Sequence, residues 1–225
     1  MIGKGNGQFS RPPPPADDES WIATFADMAT LLLAFFILLA AISKIDAVAF
    51  EQVSAGLAKG VGKREVKTPT QGLKQKINKS VKSLKMEDTI SIGTDHRGIV
   101  VEMGAGSFFE KDSATLNDTA KDALSKIAAT VASQEFEAFQ VEVEGHTDDN
   151  LPDKKSSYPS NWELSGARAS SVIRYFEEVG IMSARMRAVG MAHTAPKVAN
   201  RGPYGDPLPQ NQEINRRIVV RIFPR

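Results

Sequence analysis

Residues 21–43, WIATFADMATLLLAFFILLAAIS, decide the architecture: nineteen of these 23 residues are apolar and Asp27 is the only charge. As a helix rising about 1.5 Å per residue the stretch is roughly 34 Å long, enough to cross a hydrocarbon core. A carboxylate inside lipid costs about 2.5–3.5 kcal/mol, so an acid kept there faces a partner helix, a proton or an ion. The alternative is that Asp27, six residues past Trp21, snorkels to the interface, although its side chain is short for that. Lys4 and Arg11 before the stretch, and the small residues Ala40 and Ala41 near its end, also resemble a signal peptide. The length of the run and its acid favour an uncleaved anchor.

On the N-terminal side, residues 1–20 are rich in Gly and Pro, with four prolines at 12–15, and are expected to form a flexible tail. Basic and acidic residues lie on both sides of the span, so the positive-inside rule gives no orientation. On the C-terminal side, within 44–60, Ile45, Val48, Ala49, Phe50, Val53 and Leu57 have the spacing of a short amphipathic helix that Gly60 and Gly62 would end. Its apolar stripe packs on the membrane or a membrane partner, or it extends the span. From Lys59 to Lys85 there are nine Lys or Arg against one acid, Glu65, with a weak apolar stripe at Leu73, Ile77, Val81 and Leu84. Such a segment can lie on anionic lipid or an anionic wall polymer, but we expect residues 61–88 to be a basic linker with a solvated face. No aromatics interleave with these lysines to stack bases, which argues against nucleic acid, and the net charge of +1 implies no polyanionic partner.

Residues 89–225 have the pattern of one α/β domain. Strands are expected at 89–92, 98–103, 139–144, 185–191 and 214–223. Helices are expected at 116–131 and 161–179, the latter with Leu164, Ala167, Val172, Tyr175 and Phe176 toward the core. Three polar clusters interrupt this pattern: Gly145-His146-Thr147-Asp148-Asp149 after a strand, Asn161-Trp162-Glu163-Leu164-Ser165 with Arg168 at a helix start, and Asn215-Arg216-Arg217 before the last strand. Strand ends and helix starts can converge on one cleft, where an Arg takes a carboxylate and an Asp an ammonium. Each piece also has a plain reading. Asp148 and Asp149 can be turn acids, Asn161 an N-cap with Leu164 as core, and Arg217 a surface ion-pair partner. His146 fits a hydrogen-bonded structural histidine better than a metal ligand. The chain has no cysteine, nucleophile elbow, P-loop or HExxH, so no enzyme, cofactor or metal site is expected.

GHTDD at 145–149, SNWELSGARA at 160–169 and NRRIVVRI at 215–222 resemble the peptidoglycan-binding domain of the OmpA-like family. With WIATFADMATLLLAFF upstream, the chain resembles the B subunit of bacterial flagellar stators, the MotB and PomB type. The resemblance implies a single N-terminal transmembrane helix, a β/α/β/α/β sandwich domain, a cytoplasmic N-terminus and a periplasmic C-terminal domain at the bacterial inner membrane. It also implies a homodimer within a ring of four-span A subunits, converting a flow of H+ or Na+ into torque while the C-terminal domain grips peptidoglycan. Asp27 matches the ion-binding Asp. Asp148 and Arg168 match the pair that holds diaminopimelate's ammonium and carboxylate, Thr147, Asn161 and Leu164 match lesser pocket positions, and Arg217 falls in the terminal NRR motif. Ile45, Val48, Phe50, Val53 and Leu57 match the plug that blocks leakage before assembly. Thr24 and Thr30, three residues to either side of Asp27, together with the TFAD context, tilt the ion toward sodium. Two other functions share parts of this pattern: a structural peptidoglycan tether, and a related motor with a defence or envelope-energising output.

Overall fold

The computed structural model of the chain describes residues 20–42, 53, 68–110, 112–154 and 156–225. The chain divides into one unit at 1–45 and another at 46–225.

In the first unit, helix α1 runs from Ser20 to Ile42 without interruption, as a sequence free of Gly and Pro allows. Trp21–Ala41 is long and apolar enough to cross a membrane, and its side chains are exposed all around. A helix apolar on every side suits lipid and partner helices. The Thr24 hydroxyl donates to Trp21 O at 2.9 Å and the Thr30 hydroxyl to Asp27 O at 2.8 Å. By their spacing the two threonines lie about 60° to either side of Asp27 around the helix. Of the plug positions, Val53 is exposed, whereas Ile45, Val48, Phe50 and Leu57 lie outside the described residues, as does the tail.

The second unit is a five-stranded sheet with helices against one face. Its elements are α2 (Pro69–Ser83), β1 (Ile90–Thr94), β2 (Ile99–Gly104), the one-turn α3 (Ala105–Phe108), α4 (Asp118–Ala132), β3 (Phe139–His146), α5 (Asn161–Val179), β4 (Met186–Ala192), the short α6 (Pro209–Asn215) and β5 (Arg217–Pro224). The strand order is β1-β2-β5-β3-β4, antiparallel except for β3 and β4, which α5 joins as a parallel pair. Alternation along β3 sends Val141 and Val143 into the core with Ile99, Val101, Leu124, Ile127, Val172, Phe176, Val220 and Ile222. Its other face carries Glu142, Glu144 and His146.

That second face is covered by ion pairs. Glu142 pairs with Arg97 and Arg187, Glu144 with Arg221, Arg221 with Asp95, and Lys197 with Glu102. Arg97 and Arg187 also lie over the Phe223 ring, at 5.0 and 5.5 Å. Guanidinium stems thus bury the carboxylates without a second helical layer.

Three details differ from expectation. The segment expected as a basic linker is largely helix α2, opened by a Thr68–Gln71 capping box, with Leu73, Ile77 and Val81 fully part of the core. The domain therefore begins at Thr68, about 20 residues before the expected start at 89. Residues 209–215, including Ile214, form α6, and the strand starts only at Arg217. On α5 the buried alanine is Ala169, not Ala167. Ile77 is fully buried, and truncating such a side chain costs about 2–5 kcal/mol. Ile77→Ala is therefore expected to lower the unfolding free energy of the second unit by that amount in urea titrations, whereas a solvated linker would leave it unchanged.

Candidate functional site

β3 and α5 meet backbone to backbone. A Cβ on Gly145 would lie 2.1 Å from Ser165 O, and one on its strand neighbour Gly190 2.9 Å from Gly166 N. Only glycine at both positions lets the first turns of α5 sit against the sheet end. The contact is tied by Ala192 N donating to Ser165 Oγ at 3.1 Å and Thr147 N donating to Ala192 O at 2.8 Å. The α5 N-cap is Ser160, whose hydroxyl accepts from Trp162 N at 3.2 Å. Asn161 is thus released from capping: its Nδ2 donates to Asp148 O at 3.2 Å and Asn150 O at 2.8 Å, holding the β3–α5 loop.

This junction forms a cleft of about 560 Å³. It brings together Thr147, Asp148, Asn161, Leu164 and Arg168 of the expected set, with Phe109, Glu110, Asp112, Glu213 and Arg216 also on its wall. Asp148, 6% exposed, accepts from Asn150 N at 3.0 Å and pairs with Arg216, which also pairs with Glu213. Burial alone would lower the Arg216 pKa, but these two carboxylates raise it above the ordinary guanidinium value. The buried Thr147 hydroxyl donates to Asp148 O at 2.9 Å.

Arg168 is 4% exposed and lies 5.3 Å over the Phe109 ring. Its Nε donates to Ser113 O at 2.8 Å and its Nη2 to Glu110 O at 3.4 Å. Among the described residues it makes no ion pair, and burial lowers its pKa, opposed by the Asp112 charge. Among the described residues the cleft wall holds five carboxylates, Glu110, Asp112, Asp148, Asp153 and Glu213, against the two guanidiniums of Arg168 and Arg216. Arg216 is already neutralised by its partners. Among the described residues the cleft therefore offers the guanidinium of Arg168 for a carboxylate and the carboxylates of Asp148, Glu110 and Asp112 for an ammonium.

Arg217 is not part of this site. Ile218, Val220 and Ile222 face the helices, so strand alternation sends Arg217 to the opposite face, where it donates to Asn215 O and Ala195 O. Its neighbour Arg216 precedes the strand and turns into the cleft; counting parity back from the apolar residues of β5 would have separated the two. Asn215 is structural, accepting from Lys197 N and Val198 N at 2.8 and 3.1 Å. Asp149 also works behind the cleft: burial raises its pKa, but Gln212 Nε2 at 2.9 Å and Arg201 outweigh this and hold it low.

His146, 3% exposed, has Nε2 at 3.1 Å from Glu144 Oε2 on the far face of the sheet, the position of a structural histidine. Burial alone would raise the Glu144 pKa, yet His146 and Arg221 bring it from 4.5 down to about 2. A lowered carboxylate pKa stabilises the fold above the unfolded value and loses that contribution as pH falls from 4.5 toward about 2. Glu144→Gln should therefore flatten acid unfolding in that window, removing about 3 kcal/mol of pH-dependent stability between pH 7 and pH 2. Circular dichroism across an acid series measures it.

Residues 108–207 match the family model described as the OmpA family, and residues 8–60 match that described as Membrane MotB of the proton-channel complex MotA/MotB. YtxE of Bacillus subtilis is 33% identical over 238 residues, covering 97% of this chain and 92% of that protein. Motility protein B of Bacillus subtilis is 26% identical over 248 residues, covering 92% of each. Among solved structures, a putative MotB-like protein from Desulfovibrio vulgaris shares the fold with a TM-score of 0.61 at 22% identity, over 69% of this chain and 94% of that one. With similarity across nearly its whole length and both family models in the order its span and cleft require, the chain belongs to the MotB-type family of stator B subunits that carry a C-terminal OmpA-like domain.

Proposed function

We propose that the chain couples the flow of an ion through the inner membrane to torque, with Asp27 carrying the ion and the cleft holding the stem peptide of peptidoglycan. The observation that carries the wall-binding half is Arg168, a buried guanidinium without an ion-pair partner among the described residues, set in one cleft with Asp148. A buried charge left unpaired is costly, and a ligand carboxylate relieves that cost. The ammonium of the same diaminopimelate meets Asp148, while Thr147, Asn161 and Leu164 shape the wall around it. Nothing in this scheme requires an enzyme or a cofactor.

The motor half rests on one acid in an otherwise uncharged 23-residue helix. Its neighbours would be a second copy of the chain and the four-span A subunits, with the N-terminus cytoplasmic, the C-terminal domain periplasmic and residues 44–60 acting as a plug. Thr24 and Thr30 beside Asp27 favour Na+ over H+, since their lone pairs supply hard oxygen ligands. The full chain, reconstituted in liposomes with its A subunit, should pass ions and be retained by insoluble peptidoglycan in the same preparation. Flux that persists in sodium-free medium at fixed membrane potential assigns the proton instead. Retention without any flux would leave a structural tether, and adjacent genes of flagellar or defence type would separate the two motor outputs.

A further inference from the structure

We propose that a second depression, between α4 and α5, is a saccharide subsite that holds a sugar of the wall strand whose stem peptide occupies the cleft. The inference rests on the peptidoglycan reading above. The depression measures about 320 Å³ and is lined by Lys121, Tyr158, Ser171, Arg174, Tyr175 and Glu178, among others. Two half-buried tyrosines supply flat apolar faces with polar tips, the combination that suits the C–H face and hydroxyl rim of a sugar ring. Arg174, held by its Nη2 donating to Ser171 Oγ at 2.8 Å, and Lys121 present donors, and Glu178 presents acceptors. Charges of both signs on one small wall select neither an anion nor a cation, and a neutral polyol satisfies both.

The depression lies next to the cleft, with no lining residue in common. The segment around Ser113 separates them, and its carbonyl accepts from Arg168 Nε at 2.8 Å. On the other side, Ser156 Oγ donates to Asp112 O at 3.2 Å, and Tyr158 lies close enough to Arg168 to bear on its charge. Arg168, Ser171 and Tyr175 follow one another at the i, i+3, i+7 spacing of a single helix face. Seven residues along α5 place Tyr175 about 10 Å from Arg168. A stem peptide whose third residue, the diaminopimelate, is held by Arg168 reaches its sugar through two residues, about 7 Å when extended, and a lactyl ether. The two lengths are of the same order, so one ligand can span both sites.

The test compares a disaccharide-tripeptide muropeptide with the free tripeptide L-Ala-D-Glu-diaminopimelate on the full chain in lipid nanodiscs, by calorimetry. The wild type should bind the muropeptide about tenfold more tightly. Tyr175→Leu, which keeps an apolar side chain against the core, and Arg174→Gln should each erase most of that advantage and leave the tripeptide affinity unchanged. Equal affinity of the wild type for both ligands, or an advantage that survives both substitutions, overturns the saccharide subsite and leaves the cleft reading standing. Binding of neither ligand overturns the cleft reading, and this inference with it.

Discussion

Asp27→Asn is expected to stop rotation and ion flux altogether, at least a hundredfold below wild type, while the complex still assembles and still binds the wall. The substitution keeps the shape of the side chain and removes only its ability to take up and release a cation or proton. A bare carboxylate in the span costs about 2.5–3.5 kcal/mol, and binding an ion relieves that cost. Each unit charge moving through 100 mV releases about 2.3 kcal/mol, so the cycle has enough drive to alternate between the two states. Neutralisation would change how α1 packs on its neighbours, and that change is the candidate power stroke. Asn is locked in the neutral arrangement and cannot complete the cycle. Flux in proteoliposomes and rotation of tethered cells measure the result. Retained motility in Asp27→Asn would remove the motor mechanism, and intact function in Asp27→Leu would favour the tether.

Much of this was legible in the sequence because the signals were periodic or dense. The span announced itself by 19 apolar residues in 23, and α5 by apolar spacing after Ser160 and Asn161. The cleft was legible in GHTDD and NWELS, since a strand end and a helix start must lie together when a parallel pair shares that helix. What escaped had a weaker signal for a physical reason. Helix α2 buries Thr70, Leu73, Ile77 and Val81 and carries four lysines at 74, 76, 79 and 82, so its narrow apolar stripe was visible but read as the weak side of a charged linker. Arg216 escaped because two adjacent arginines differ only in parity. Glu110, Asp112 and Glu213 come from segments remote in sequence, and only the packing of α3 and α6 brings them to the cleft.

The placement of α2 also changes how reach to the wall must be obtained. Residues 61–88 would have been freely extensible as a linker. With Leu73, Ile77 and Val81 in the core, releasing α2 means exposing three side chains worth about 1.5–3 kcal/mol each. Extension by unfolding this segment is therefore open only if a larger gain elsewhere offsets it, and binding of the cleft to the wall is the interaction placed to supply that gain.

That binding should depend on Arg168 more than on any other residue of the domain. Arg168→Gln is expected to weaken retention of the full chain by purified peptidoglycan by 10²–10³-fold, since removing one partner of a desolvated charge pair costs about 2–5 kcal/mol. Asp148→Asn should act in the same direction through the ammonium, but less, because Arg216 keeps Glu213 and the cleft keeps its other acids. The two substitutions act on one shared ligand and the Asp148 charge bears on Arg168, so their combined effect on binding should differ from the sum of the two. Stability should move differently. Arg168 donates to Ser113 O and Glu110 O, so the shorter Gln should lower the unfolding free energy by about 1–3 kcal/mol whether or not the residue meets a ligand. A loss of binding well beyond that loss of stability separates a recognition residue from a structural one. The decisive comparison uses a stem peptide whose diaminopimelate carboxylate is amidated: wild type should hold it as weakly as Arg168→Gln holds the acid, and the variant should not discriminate between the two. If wild type also fails to discriminate, Arg168 does not receive the carboxylate.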